Sequence, residues 1–308
     1  VYVNGRGSRR ALFEGKNDRG MTHRPRPITD VDRRASFARP ADTMFLDHLP
    51  VDVRELDAQA RFAALSALFD QVTARRLTGV GLASGWRCWE VDAGGPRLPG
   101  LIAERVGPLG RVVATTDRDL TWLDAGLPAS VQARRHDVVR DDPPAGGFDL
   151  VHARLVLMHL PERDEVLRRL VAALRPGGWL LVEDFDCDLQ PLACLGAGRP
   201  EELLANRVRA EFLDLLARRG ADLEYGRKLP RLFRDAGLVE VGADGFFPVA
   251  VRAGAALEIA EMRRAHEGLL ASGRIRADEL DAHLASVAWG RVDVTTPPLF
   301  GCWGQRPE

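Results

Sequence analysis

The sequence predicts an α/β protein: a doubly wound, mostly parallel seven-stranded sheet, preceded by N-terminal helices and closed by a helical lid insertion. Three observations carry this. From Trp86 onward, short apolar runs alternate with amphipathic stretches at the spacing of strand–helix units. Most of these runs end in an acid or in a Gly/Pro-rich turn, as strands do at the mouth of such a sheet. After Asp186 the alternation gives way to long helical periods that interrupt a final pair of strands.

In order, residues 1–40 stand apart, with ten Arg or Lys against four acids, four Gly and three Pro, and read as a flexible basic arm. Met21 offers a start site, which would make residues 1–20 an upstream extension. Residues 41–82 form an N-terminal helical segment, in which Leu56, Phe62, Leu65, Leu68, Phe69 and Val72 recur at helical spacing. The main domain is expected over 83–308. Its strands are Trp86–Val91, Arg111–Thr115, Val131–His136 and Phe148–His152, and a fifth begins at Trp179. Helices are expected through Leu101–Arg105 and over Glu162–Leu174, the latter stopped by Arg175-Pro-Gly-Gly178. Further helices (Glu201–Arg219, Leu229–Ala236) precede a strand at Val239–Val251. Two more (Ala255–Ala271, Ala277–Val287) precede a last strand near Leu299–Trp303. The lid is assigned to about 199–237 and 253–288.

Composition removes whole classes of function. With 45% hydrophobic residues among 308, the chain has ample material for a core. No apolar run approaches the roughly 20 residues of a membrane span, and residues 1–20 carry no apolar signal core, so a cytoplasmic protein with no membrane partner is expected. The net charge is −1, and no basic stripe with interleaved aromatics marks a nucleic-acid surface. Cys88, Cys187, Cys194 and Cys302 form no C-x-x-C pair, so no metal site is expected and the thiols are read as reduced.

In a doubly wound sheet ligands sit beyond the carboxyl ends of the strands. Here those ends carry Glu90–Gly95, Asp117 or Asp119, Asp137, His152–Arg154 and Glu183–Asp186. Glycines after the first strand allow close backbone approach. An acid after the second suits ribose hydroxyls, and an acid after the third suits the amine of adenine. Three segments then resemble the class I S-adenosylmethionine-dependent methyltransferases. They are Glu90-Val-Asp-Ala-Gly-Gly95, the stretch from Phe148-Asp-Leu-Val-His-Ala-Arg154 through Met158-His-Leu-Pro161, and Leu174-Arg-Pro-Gly-Gly-Trp-Leu-Leu-Val-Glu-Asp184.

The resemblance implies a Rossmann-like methyltransferase fold. It also implies S-adenosylmethionine as cofactor, S-adenosylhomocysteine as its product, and a small-molecule acceptor of the secondary-metabolite type. It assigns Glu90 to anchoring the loop, Gly94 and Gly95 to facing the cofactor, Asp117 or Asp119 to the ribose, and Asp137 with Val138 to the adenine. Arg154 would line the methionine end. His152, His159 or Asp184 would take the acceptor's proton. A homodimer through the N-terminal helices follows by analogy.

The sequence departs from the family at Asp92 and Pro96, where the first and third loop glycines belong. The Asp92 carboxylate would repel the ligand's carboxylate or attract its ammonium. It would otherwise point to solvent or cap the next helix. The same departure motivates the alternative of a relative that has lost methyl transfer and catalyses a cyclisation, isomerisation or elimination in the same pocket. A nicotinamide enzyme is disfavoured, since no G-x-G-x-x-G is present.

Overall fold

The computed structural model describes residues 53–118, 126–196, 198–249 and 251–308, with side chains from residue 59 onward. The basic arm, residues 41–52 and Asp119 lie outside the described residues. Residues Val51–Glu308 form one unit. The first helix therefore belongs to the main body and not to a separate N-terminal segment.

The chain runs α1 (Val53–Gly79), β1 (Arg87–Val91), α2 (Arg97–Val106), β2 (Arg111–Thr116), β3 (Val131–Arg135), β4 (Phe148–Arg154), α3 (Arg163–Ala173), β5 (Leu174–Phe185), α4 (Pro200–Arg218), α5 (Tyr225–Asp235), β6 (Val239–Phe246), α6 (Arg252–Ala271), α7 (Ala277–Ala288) and β7 (Leu299–Gln305). The seven strands lie in the order β3-β2-β1-β4-β5-β7-β6. β1 to β5 pair in parallel, and β7 runs antiparallel to both β5 and β6. The strand order reverses between β1 and β4, so the crevice of such a sheet opens at their carboxyl ends.

The central strands are buried on both faces, which is why they read as continuous apolar runs. Trp89 is in the core, its indole N–H donating to Thr115 Oγ1 at 2.8 Å. α3 starts at Arg163 with Asp164 and Glu165 in its first turn, where the helix dipole favours acids.

Several boundaries differ from the sequence reading: β6 ends at Phe246 and not at Val251, β4 runs on to Arg154, and two further differences bear on the site. Arg175–Gly178 is no free turn but the bulged start of β5, with a register shift opposite Phe148–Leu150. Its backbone groups are paired, Gly177 N with Arg306 O at 2.9 Å and Arg306 N with Gly178 O at 2.8 Å. α5 packs on β5, β6 and β7, whereas α4, α6 and α7 pack on one another and α1 packs on α6. Of the stretch 199–237, only α4 therefore joins the lid. No described helix is long and apolar enough to cross a membrane.

Candidate active site

A cavity of about 370 Å³ opens at the carboxyl ends of the strands, within the ~300–1,000 Å³ of ordinary small-molecule sites. One half is walled by sheet ends, with Asp92, Asp117, Asp137, Val138, Leu155 and His159. The other half is walled by the covering helices: Arg61 from α1, Arg209 and Phe212 from α4, and Leu257, Glu261 and Arg264 from α6.

The loop after β1 is tied to β2 by Ala93 N, which donates to Thr115 O at 2.7 Å. Asp92 sits there at φ +48°, left-handed backbone that glycine adopts freely and Asp tolerates better than most residues. The glycine-like conformation is thus kept without the glycine. Its carboxylate accepts from Thr116 Oγ1 at 3.2 Å and lies 3.8 Å from Arg118 Nη2. It faces the cavity and neither points freely to solvent nor caps α2, which has no side-chain cap. Burial raises its pKa, and the Arg118 charge opposes the rise. Pro96 is the N-cap of α2 and not its first helical residue.

Gly94 and Gly95 part company. A Cβ on Gly94 would fall 1.9 Å from Phe62 Cε1, so the bare backbone is used by an aromatic ring of α1. A Cβ on Gly95 would meet nothing within 4 Å. Phe62 is flanked by two guanidinium groups, Arg61 and Arg118, each 5.5 Å from the ring centroid.

Asp117 follows β2 on the cavity wall, its side chain 64% exposed. Asp137 follows β3, and its Oδ1 accepts from Val139 N at 2.9 Å, which fixes the turn that carries Val138.

The three candidate proton acceptors are not brought together. His159, on the short 3-10 turn Leu157–His159 after β4, lines the cavity. Burial and then the nearby Arg61 charge lower its pKa to about 4, so it is neutral at neutral pH. His152 is wholly buried and does not reach the cavity wall. Its Nδ1 lies 2.6 Å from Glu90 Oε2 and its Nε2 3.3 Å from Glu183 Oε2. Two carboxylate acceptors require both ring nitrogens to donate, so this is an imidazolium. Burial alone would depress it, but the two glutamates override that and lift its pKa to about 9. A filled, charged ring cannot take a further proton.

Glu90 and Arg154 belong to the same network and also stand off the wall. Glu183 accepts from Thr73 Oγ1 and from Arg76 Nη1, both at 2.5 Å, and Arg154 Nη1 donates to Asp70 Oδ1 at 2.9 Å. Asp70, Thr73 and Arg76 are three apart on α1, one helical face, and bolt that helix to the sheet. A polar triplet at that spacing beside the apolar stripe was the signal available in the sequence. Asp184 is the neighbour of Glu183, and in a strand it projects to the opposite face. Burial raises its pKa well above the ordinary value, and the backbone amides of Met158, Leu157 and Val156 only partly offset this. It is a buried acid that holds its proton more tightly than usual, beneath the turn that carries His159. Asp186, the third acid, is paired with Arg227.

Leu155 adds strain at this place. It stands at φ +56° between β4 and the turn, its N–H held by Glu183 O at 2.7 Å. A branched residue there persists only because its surroundings over-determine it. The lid-side wall was not legible in the sequence, because its charged residues read as solvated helix faces.

Residues 83–241, more than half of the chain, match the family described as methyltransferase domain. The chain belongs to this family, and its seven-stranded sheet is the Rossmann-like fold of class I S-adenosylmethionine-dependent methyltransferases. Among curated relatives, methyltransferase str2 of Strobilurus tenacellus is 32% identical over 133 residues, covering 42% of this chain and 47% of that one. Phosphoethanolamine N-methyltransferase 3 of Arabidopsis thaliana is 28% identical over 119 residues, 39% of this chain and 21% of that one. The chain spans less than half the length of either. A solved phosphoethanolamine N-methyltransferase 2 of Haemonchus contortus, in complex with S-adenosyl-L-methionine, matches with a TM-score of 0.51 at 15% identity. It covers 84% of this chain and 60% of that one.

Proposed function

We propose that the chain binds S-adenosylmethionine in the sheet half of the cavity and catalyses methyl transfer to a small-molecule acceptor held in the lid half. The observation that carries this is the pair of acids Asp117 and Asp137 on one cavity wall, at the ends of β2 and β3. Asp117 would hold the ribose hydroxyls. Asp137, with one oxygen committed to its turn, would offer the other to the adenine amine, beside Val138. Asp92 would meet the ligand's ammonium, and Arg118 beside it would meet the carboxylate. When bound, the group supplies an electrophilic methyl on a sulfonium.

The chain's own contribution is alignment, exclusion of water and removal of a proton. Phe212, Leu257 and Leu155 give the acceptor apolar walls. His159 is neutral and on the wall, so it is the residue that would accept the acceptor's proton. With a pKa near 4 it suits an acidic hydroxyl better than an alcohol. His152 and Asp184 are positioning residues in this reading: the first holds α1 to the sheet, the second supports the turn below His159.

Calorimetric titration with S-adenosylmethionine and with S-adenosylhomocysteine tests it. Micromolar binding of both supports the reading. No binding to folded protein at millimolar ligand would sink it and leave methyl-free chemistry in the same cavity.

A further inference from the structure

The lid half of the cavity holds polar atoms that the fold leaves unused. Arg209 is 5% exposed, yet only its Nη2 is engaged, by the Glu258 carboxylate and by Thr295 O at 3.2 Å. Its Nη1 is buried without a hydrogen-bond partner among the described residues, and so is Oγ1 of Thr296, 3% exposed. Both residues line the cavity, with these two atoms just behind its surface. A buried donor left unpaired costs about 1–3 kcal/mol, so two on one wall mark a place where a ligand is expected to supply acceptors.

The charge around them has one sign in excess. The lid-side lining carries Arg61, Arg209, Arg219 and Arg264 against Glu258 and Glu261. Arg61 is paired with Glu261 at 2.6 Å and Arg209 with Glu258. Arg219 and Arg264 make no ion pair among the described residues. Burial lowers the pKa of Arg264, and the charges of Arg61, Arg118 and Arg219 lower it further, with Glu261 opposing them. Glu258 cannot turn to compensate them, because its other oxygen accepts from His283 Nε2 at 3.1 Å. The rest of that wall is apolar, with Phe212, Leu213 and Leu216.

From this we infer that the acceptor is an apolar molecule bearing an anionic oxygen group, a carboxylate or a phosphate, seated on Arg209 Nη1 and Thr296 Oγ1. The inference rests on the assignment of the sheet half to the cofactor, and it names what the other half selects. The remaining arginines steer the anion in.

The test is calorimetry of the full chain saturated with S-adenosylhomocysteine, using benzoate and phenyl phosphate as anionic probes and benzamide as the neutral control. At least one anion is expected to bind at least tenfold more tightly than benzamide. Thr296→Val, which keeps the shape and removes the donor, should weaken that anion by roughly tenfold, about 1.4 kcal/mol, while leaving S-adenosylhomocysteine binding unchanged. Arg209→Lys should weaken it at least as much. The proposal is overturned if neither anion binds, if benzamide binds as well as the anions do, or if Thr296→Val moves the affinity by less than twofold. Repeating the titrations without S-adenosylhomocysteine separates the two readings. An anion that binds in a Thr296-dependent way to protein that refuses S-adenosylhomocysteine supports the anion seat and removes the cofactor assignment.

Discussion

Gly94→Ala and Gly95→Ala should behave oppositely, although the two positions are adjacent and neither backbone is left-handed. At Gly94 the new methyl would lie 1.9, 2.2 and 2.6 Å from three Phe62 ring atoms. Ordinary contact begins at 3.4 Å, so the ring must retreat by 3.4 − 1.9 = 1.5 Å. It cannot retreat freely, because Arg61 and Arg118 flank it and Phe62 packs on the cluster of Leu65, Phe69 and Leu299. Overpacking of this kind costs about 1–3 kcal/mol, or roughly 2–10 °C in melting midpoint for a chain of this size. At Gly95 the methyl enters open space, and the stiffer unfolded chain should leave stability unchanged or raised by about 0.4–1 kcal/mol. The assay is a thermal or urea melt of both variants, each also made in a Phe62→Ala background. With the ring gone, the Gly94→Ala penalty should vanish, giving a coupling energy of about 1–3 kcal/mol. Equal melts for the two alanine variants, or a penalty that persists without Phe62, would refute the packing argument.

The buried network sets a pH window for stability. His152 is raised from 6.5 to about 9, so its contribution, about 3 kcal/mol for a shift of that size, is complete below about pH 6.5 and lost as pH rises through 9. Glu90, raised chiefly by burial, loses stability in the same direction. Burial also pushes Glu183 up, but the bond and charge of His152 and the charge of Arg76 overcome it and bring it down to about 2, so its share fades as pH falls from 4.5 through 2. Urea melts against pH should therefore weaken above about 7, and the alkaline loss should shrink in His152→Gln. Asp92→Asn, which keeps the left-handed backbone accessible and removes the charge, should weaken S-adenosylhomocysteine binding by more than tenfold in calorimetry; unchanged or tighter binding would place the ligand's carboxylate there instead. His159→Gln should lower the methyl-transfer rate by roughly 10²–10⁴-fold and leave S-adenosylhomocysteine affinity intact, and the wild-type rate should rise with pH through about 4 and then level. Asp184→Asn, which keeps the shape of the side chain, should keep the rate within a fewfold, whereas Asp184→Ala should lower it by loosening the turn that carries His159.

The strands and the acids at their ends were legible because both are local. An apolar run of the right length is a buried strand, and the residue after it lies at the sheet's mouth, as Asp117 and Asp137 do. Which histidine reaches the cavity was not local. His152 and His159 look alike in sequence, and what separates them is α1, which reaches across with Thr73 and Arg76 to Glu183 on β5, the partner of His152, and leaves the turn after β4 open. Gly94 was assigned to facing the cofactor, and the group packed against its backbone is Phe62, 32 residues upstream. The wall formed by Arg209, Glu258 and Arg264 is written on helices whose charges resemble a solvated face until α4 and α6 fold over the sheet.

The order of the strands also governs how the chain can assemble. β6 pairs with nothing but β7 in the sheet, and residues 247–298 separate the two. At about 5–20 residues per second, the ribosome would leave β6 waiting roughly 3–10 s for its partner, while α6 can already pack on α1 and α4. Five parallel strands can form early; the edge strand β6 joins the sheet only with the seven residues Leu299–Gln305. An amber codon just before Leu299 should therefore leave the edge of β5 bare and β6 without a partner, an aggregation-prone sheet and not a slightly shortened enzyme.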